Sequence, residues 1–262
     1  MKISDIKPEV FRMAEEAEKE IHEMFRRIDA VAERNTRKVM AAFQDNRVSD
    51  SCFAGTTGYG YDDLGRETLD KIYAQVFGAE AALVRINFVN GTHALTAAMF
   101  ATVKPGDTIL AATGMPYDTL RSAIGISGRC HGSLKFYGID YAQVDLRADG
   151  TPDIEGIKAA VSDKKVTAVM IQRSRGYEDR PALTVEQIGE ICAAVKSVDP
   201  SAVIMVDNCY GEFTDVIEPT DVGADLIAGS LIKNPGGGIA PTGGYIAGRK
   251  ELVDRAAMRL TT

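Results

Sequence analysis

From Pro8 to Phe43 apolar residues recur at spacings of mostly three and four, with Phe11, Ala14, Ala17, Ile21, Met24, Phe25, Ile28 and Val31 separated by Glu, Lys and Arg. That pattern predicts one long amphipathic helix, whose apolar stripe must pack on its own domain or clasp a second subunit. A glycine- and tyrosine-rich stretch, Phe53 to Arg66, then breaks the period and reads as a functional loop or a long surface turn; Leu64 to Phe77 returns to helical spacing. From residue 81 the pattern changes to short apolar runs alternating with helical segments. Strands are predicted at Ala81–Ile86, Asp107–Ala112, Gly132–Tyr137, Ala142–Val144, Val166–Ile171 and Ala202–Asp207. A further strand follows Asp225, and Gly244–Gly248 is expected to return antiparallel beside it. Helices are predicted from Asn90 or Thr92, after Tyr117, over Ile154–Ala160 and Val185–Ser197, and from Arg249. This alternation predicts an α/β domain with a mostly parallel sheet. Residues 1–50 form an N-terminal helical arm and residues 51–262 one large domain.

Composition narrows the function. The chain has 262 residues, 45% of them apolar and 26% charged, as in an ordinary globular protein. A net charge of -7 argues against a nucleic-acid groove, which needs a basic stripe. Four cysteines without a Cys-x-x-Cys pair, and three histidines, do not suggest a structural metal site. The first thirty residues carry charges throughout, and no stretch approaches the ~20 apolar residues that span a bilayer. A cytoplasmic protein with reduced thiols and no membrane contact is expected.

Two apolar runs end in ionisable residues. One ends in Asp207; the other leads through Ser230 to Lys233 and then Asn-Pro-Gly-Gly-Gly. A lysine between an apolar strand and a loop of small residues loses its proton or needs an anionic partner, unless the loop is simply solvated. A strand-end aspartate followed by a strand-end lysine is the pair that pyridoxal 5'-phosphate chemistry requires. The lysine forms the Schiff base, and the aspartate keeps the pyridine nitrogen protonated. Ligands of such sheets sit beyond the carboxyl ends of the strands, and other residues fall there too. Gly91 and Thr92 open a helix and present backbone N–H groups to an anion, or merely cap it. Tyr117, at a strand-to-helix corner, stacks on a planar ligand or caps the core. Arg173 and Arg175 follow a buried strand and suggest carboxylate or phosphate binding, against a solvated loop as the alternative. Nucleotide binding is disfavoured, since no Gly-x-Gly-x-x-Gly or phosphate-loop lysine stands at a strand-to-helix turn.

Taken in order, several motifs carry a resemblance: Tyr59-Gly-Tyr-Asp-Asp-Leu-Gly-Arg66, Gly91-Thr-His-Ala-Leu, Pro116-Tyr-Asp-Thr, Gln172-Arg-Ser-Arg-Gly-Tyr177, Val206-Asp-Asn and Ser230-Leu-Ile-Lys-Asn-Pro-Gly-Gly-Gly. Together they resemble the pyridoxal-phosphate family of aluminium resistance proteins and methionine gamma-lyase-related proteins, relatives of the cystathionine lyases. The resemblance implies the aspartate aminotransferase-like fold (fold type I), with Lys233 as the Schiff-base lysine and Asp207 on the pyridine nitrogen. It further implies Ser230, Gly91 and Thr92 at the phosphate and Tyr117 on the ring. Tyr59 and Tyr61 would reach a neighbouring subunit's phosphate site, in a homodimer or homotetramer with shared active sites.

The chain departs from the lyase pattern in places. Ile232 stands where lyases usually carry a second hydroxyl before the lysine, and Arg173 or Arg175 occupies the region of their loop asparagine. Family members continue into a C-terminal small domain that holds a substrate-gripping arginine, so this chain is expected to be a fragment or truncated product. The implied activity is elimination of a thiol from the β- or γ-carbon of a sulfur-containing amino acid, as in cystathionine beta-lyase or methionine gamma-lyase, with Lys233 moving the α-proton and Tyr117, or a tyrosine of the 59–61 loop, assisting. Aldol cleavage or transamination on the same cofactor, and a non-catalytic cofactor-binding subunit, are the alternatives.

Overall fold

The amphipathic repeat folds as α1, Pro8–Asp45, with proline in its first turn, where no backbone N–H is needed. The computed structural model describes residues 6–57, 62–128, 131–163 and 165–260; Tyr59 and Tyr61 lie outside them. Within α1 only Asn35 and Ala42 are buried, while Phe11, Ile21, Phe25 and Ile28 stay exposed. The carboxyl-terminal half is tied down. Val39 and Phe43 pack on the core, and Asn35 Nδ2 donates to the carbonyls of Phe213 (3.0 Å) and Asp215 (2.8 Å).

After α2, Leu64–Val76, strands and helices alternate: β1 Ala81–Arg85, α3 Gly91–Thr102, β2 Thr108–Ala111, α4 Asp118–Ile124, β3 Asp140–Gln143, α5 Ile154–Val161, β4 Val166–Gln172, α6 Val185–Val198 and β5 Val203–Asp207. β6 Leu226–Ser230, β7 Gly244–Gly248 and α7 Lys250–Ala257 complete the series. Among the described residues these strands form one seven-stranded sheet in the order β1-β7-β6-β5-β4-β2-β3. β7 is antiparallel to both β1 and β6, and the remaining pairs are parallel. Helix starts follow local chemistry. The Asn90 side chain accepts from His93 N at α3, and Thr184 and Gln187 form a reciprocal capping box at α6.

Helices cover both faces of the sheet, which is why the parallel strands are apolar along their length. α2, α5 and α6 pack over one face, where Ile72, Ile157, Ile188 and Ile191 meet Ile204 and Val206. α3, α4 and α7 cover the other, where Leu95, Met99, Leu120 and Leu252 meet Met205 and Leu226. Each fully buried Leu or Ile contributes on the order of 1.5–3 kcal/mol. Because side chains alternate along a strand, neighbouring residues at a strand end belong to opposite faces.

One predicted strand is corrected. Gly132–Tyr137 forms a turn and a 3-10 helix, Lys135–Tyr137. Gly132 and Gly138 take left-handed φ values of 90° and 75°, which interrupt an extended run. Leu134 alone of the segment's large apolar residues is buried, while Phe136 and Tyr137 face outward. Among the described residues no helix is long and apolar enough to cross a membrane.

Candidate active site

Alternation along the strands sorts the strand-end residues. Gln172, Asp207 and Ser230 end β4, β5 and β6, and Asp207 continues from Met205 on the α3 face. Asp207 is 2% exposed. It accepts the Cys209 backbone N–H at 3.1 Å, and no ion pair reaches it among the described residues. Burial pushes its carboxyl up to about 6, against the lowering by hydrogen bonds from Cys209. A buried carboxylate without a cation is costly, so this position favours a donor that carries positive charge.

Beside it, the amino end of α3 abuts β6. A Cβ on Gly91 would lie 3.1 Å from the Ser230 Cβ and 3.5 Å from the Cys209 Sγ. The missing side chain leaves the first α3 amides open next to the Ser230 hydroxyl, an arrangement suited to an anion. Thr92 Oγ1 is 3.0 Å from the Tyr117 hydroxyl and 2.7 Å from Thr119 Oγ1. Tyr117 sits at the start of α4, its N–H donating to Gln172 Oε1 at 3.1 Å, so β4 fixes the ring's backbone. Burial raises the Tyr117 phenol to about 12, which keeps it protonated.

Lys233 follows β6 by three residues and is half-buried. Its ammonium donates to the Tyr210 hydroxyl and lies 4.3 Å from that ring's centroid. Tyr210 itself has φ 67°, a region that costs a non-glycine residue about 1–3 kcal/mol. The turn after the lysine needs Gly236, because a Cβ there would fall 1.8 Å from the Leu231 carbonyl oxygen.

The two arginines part company. Arg173 comes one residue after Gln172 and is 4% exposed, on the opposite face of the sheet. Its guanidinium donates to Asn208 Oδ1 (2.8 Å) and Thr214 Oγ1 (3.1 Å), and stands 3.6 Å from Glu218. Its guanidinium is thus occupied by internal partners, whereas Arg175 is exposed. Gly91, Thr92, Tyr117, Asp207, Ser230 and Lys233 all gather along the carboxyl edge of the sheet. Sequence reasoning gave no role to Tyr210, Cys209, Glu212 or Glu218. Tyr210 had a usable signal, since it follows β5 as Tyr117 follows β2; the buried glutamates had none, lying in an irregular passage.

Such an edge can hold a planar, anionic, aldehyde-bearing ring: hydroxyl and amides for the anion, Tyr117 beside the plane, Asp207 for a protonated nitrogen, Lys233 for the carbonyl carbon. Over residues 10–262 the chain matches the family model described as methionine gamma-lyase. It is 46% identical over 252 residues to the Bacillus subtilis protein YnbB, covering 96% of this chain and 60% of YnbB. A solved carbon-sulfur lyase involved in aluminum resistance from Clostridium novyi superposes with a TM-score of 0.94 at 51% identity, covering 98% of this chain and 61% of that one. The L-methionine gamma-lyase of Pseudomonas putida is 26% identical over 212 residues, covering 80% of this chain and 48% of the enzyme. The chain spans about three fifths of the first two relatives. With a family model matched along almost its whole length and close likeness to the aluminum-resistance lyase, the chain belongs to the methionine gamma-lyase family.

Proposed function

We propose that the chain is the cofactor-binding portion of a pyridoxal 5'-phosphate-dependent carbon–sulfur lyase acting on a sulfur-containing amino acid. The observation that carries this reading is Asp207, a carboxylate buried without a cation among the described residues, on the same sheet edge as Lys233. The lone antiparallel β7 within an otherwise parallel sheet supports an aspartate aminotransferase-like large domain of fold type I. The names borne by relatives, methionine gamma-lyase and carbon-sulfur lyase, support elimination of a thiol.

The residues fit the cofactor. Asp207 would hold the pyridine nitrogen, Ser230 with the amides of Gly91 and Thr92 the phosphate, Tyr117 the ring face, and Lys233 the aldehyde. When bound, the cofactor supplies an electron-accepting ring that stabilises negative charge at the substrate's α-carbon. Lys233 Nζ, once free of its proton, takes the proton from that carbon. The Tyr210 hydroxyl, which accepts a hydrogen bond from Nζ, orients the amine and takes a proton from the ammonium as its own hydroxyl proton leaves to the solvent on which Tyr210 opens. Asp207, buried away from water, would hold its negative charge for the ring nitrogen. Tyr117, protonated and linked to Thr92, stands ready to donate to the leaving sulfur. Arg175 is the exposed cation that this reading offers to a substrate carboxylate. A homodimer or homotetramer belongs to the same proposal, supported by the exposed apolar residues of α1.

The test is direct. The chain is mixed with pyridoxal 5'-phosphate, reduced with borohydride and mapped by peptide mass. Label on Lys233, and none in Lys233→Ala, is expected; label elsewhere, or an undiminished adduct in Lys233→Ala, overturns the reading. Assay of the full-length protein on cystathionine and methionine then assigns the reaction, through ammonia with pyruvate or 2-oxobutanoate.

A further inference from the structure

On the face of the sheet away from Asp207's side chain lies a carboxyl group that the proposed chemistry does not use. Glu212 is 0% exposed. Its Oε1 accepts the Tyr245 hydroxyl at 2.8 Å, while its Oε2, equally buried, has no hydrogen-bond partner among the described residues. The pocket is shaped for it: a Cβ on Gly229 would fall 2.6 Å from Glu212 Oε1 and 2.8 Å from the Tyr245 hydroxyl. Tyr245 in turn stacks on Phe77 at 5.2 Å with the rings 4° from parallel, so the acceptor is held by a rigid donor.

Glu212 belongs to the turn that joins the two halves of the lysine's surroundings. Two residues before it stands Tyr210, whose hydroxyl meets Lys233. Its own carbonyl oxygen accepts the Asn234 side chain at 2.9 Å, and Asn234 is the residue after Lys233. Tyr210 and Phe213 on either side both have left-handed φ, 67° and 63°, and such backbone persists only when its surroundings over-determine it. A buried acid with an unsatisfied oxygen is a poor way to stabilise a core, which marks this one as held for geometry.

We propose that Glu212 is a positioning residue for Lys233, pinning from inside the core the turn that carries Tyr210 and grips Asn234. The surrounding charges agree with a side chain held in its neutral form. Tyr245 from β7, Tyr73 from α2, Glu218 and, from the β5 end, Asp207 and Cys209 act on it electrostatically, with Arg173 as the cation in the group. Burial, with Asp207 and Glu218 adding, pushes its carboxyl up to about 8. The inference deepens the reading of Lys233 as the reactive amine and rests on it.

The experiment measures acetylation of Lys233 by acetic anhydride at neutral pH, by peptide mass, with exposed Lys71 as internal reference. It contains no cofactor, so a failed cofactor reading shows separately, as absence of a reducible pyridoxal phosphate adduct on Lys233 in the unmodified protein. In Glu212→Ala the Lys233 rate, relative to Lys71, rises by about threefold or more. Glu212→Gln, which still accepts from Tyr245, restores the original rate, and Tyr210→Phe adds nothing further in the Glu212→Ala background. An unchanged relative rate in Glu212→Ala, or a rise that Glu212→Gln shares, overturns the proposal. Should Glu212→Ala fail to fold, Tyr245→Phe decides: it removes only the hydroxyl, and it must raise the Lys233 rate or the proposal falls.

Discussion

Lys233 and Tyr210 form a contact between two loops, with Nζ 4.3 Å from the ring centroid and donating to the phenol oxygen. One loop follows β6 and the other β5, so the contact joins adjacent strand ends. Tyr210→Phe keeps the ring and its attraction for the ammonium, worth about 0.5–1 kcal/mol at an open site, and removes the proton relay. The expected result is an unchanged thermal midpoint and a fall of about 10²-fold in the rate of the proposed elimination. Steady-state assay beside a melting curve checks both, and a variant of full activity rules the phenol out of the proton path.

Asp207 couples stability to pH. Its carboxyl stands at about 6 when folded against 3.8 when free, so between those values folding takes up a proton. The folded state therefore loses stability on this group's account as pH rises from about 4 through about 6. The full difference is about 3 kcal/mol. In cofactor-free protein Asp207→Asn should match the wild type near pH 4 and exceed it in stability above pH 6, while losing affinity for pyridoxal 5'-phosphate. Urea unfolding at several pH values measures this, and parallel curves for the two proteins contradict it.

Gly91→Ala tests the anion cup. The new methyl carbon would stand 3.1 Å from the Ser230 Cβ, so the α3 start and the β6 end must separate by a few tenths of an ångström. Helix propensity favours alanine, by about 1 kcal/mol at an interior position, so folding should not suffer greatly. Cofactor affinity is expected to fall by about tenfold, read by absorbance titration; equal affinity removes Gly91 from the phosphate site.

Arg173→Ala should act on stability. It strips the buried partner from Glu218 and a hydrogen bond from Asn208, a loss of about 3–5 kcal/mol. The Arg173→Ala, Glu218→Gln double variant should recover part of that, because no buried carboxylate is then left alone. Denaturant midpoints of Arg173→Ala, Glu218→Gln and the double variant provide the measurement, and strictly additive losses deny the pairing.

Much of this architecture could be read from residue order, for reasons visible at particular positions. Val166–Gln172 and Val203–Asp207 are apolar on both faces because helices cover both, and such runs announce buried parallel strands. Asp207 stands out because it ends such a run, and Lys233 because it follows the apolar Leu226–Ser230 run within three residues. The misreadings have equally local causes. At Gly132–Tyr137 the apolar residues suggest a strand, but left-handed glycines interrupt the extended run and make a turn. Arg173 was grouped with the ligand-facing residues because it follows a strand; its place one step past Gln172 turns it to the other face. Glu212 and Tyr245 meet only in three dimensions, from a loop and a strand far along the chain, and no local pattern announces that contact.

The insertion of β7 between β1 and β6 also sets a timetable for the nascent chain. Among the described residues β1 has no ladder partner other than β7, so Ala81 must wait for Gly248 before its strand is paired. Strands β2 to β6 can assemble side by side soon after each leaves the ribosome. Of the ladders in this sheet the β1–β7 pair closes the longest stretch of chain, so it carries the largest loop-closure entropy and is expected to form after the shorter-range pairs.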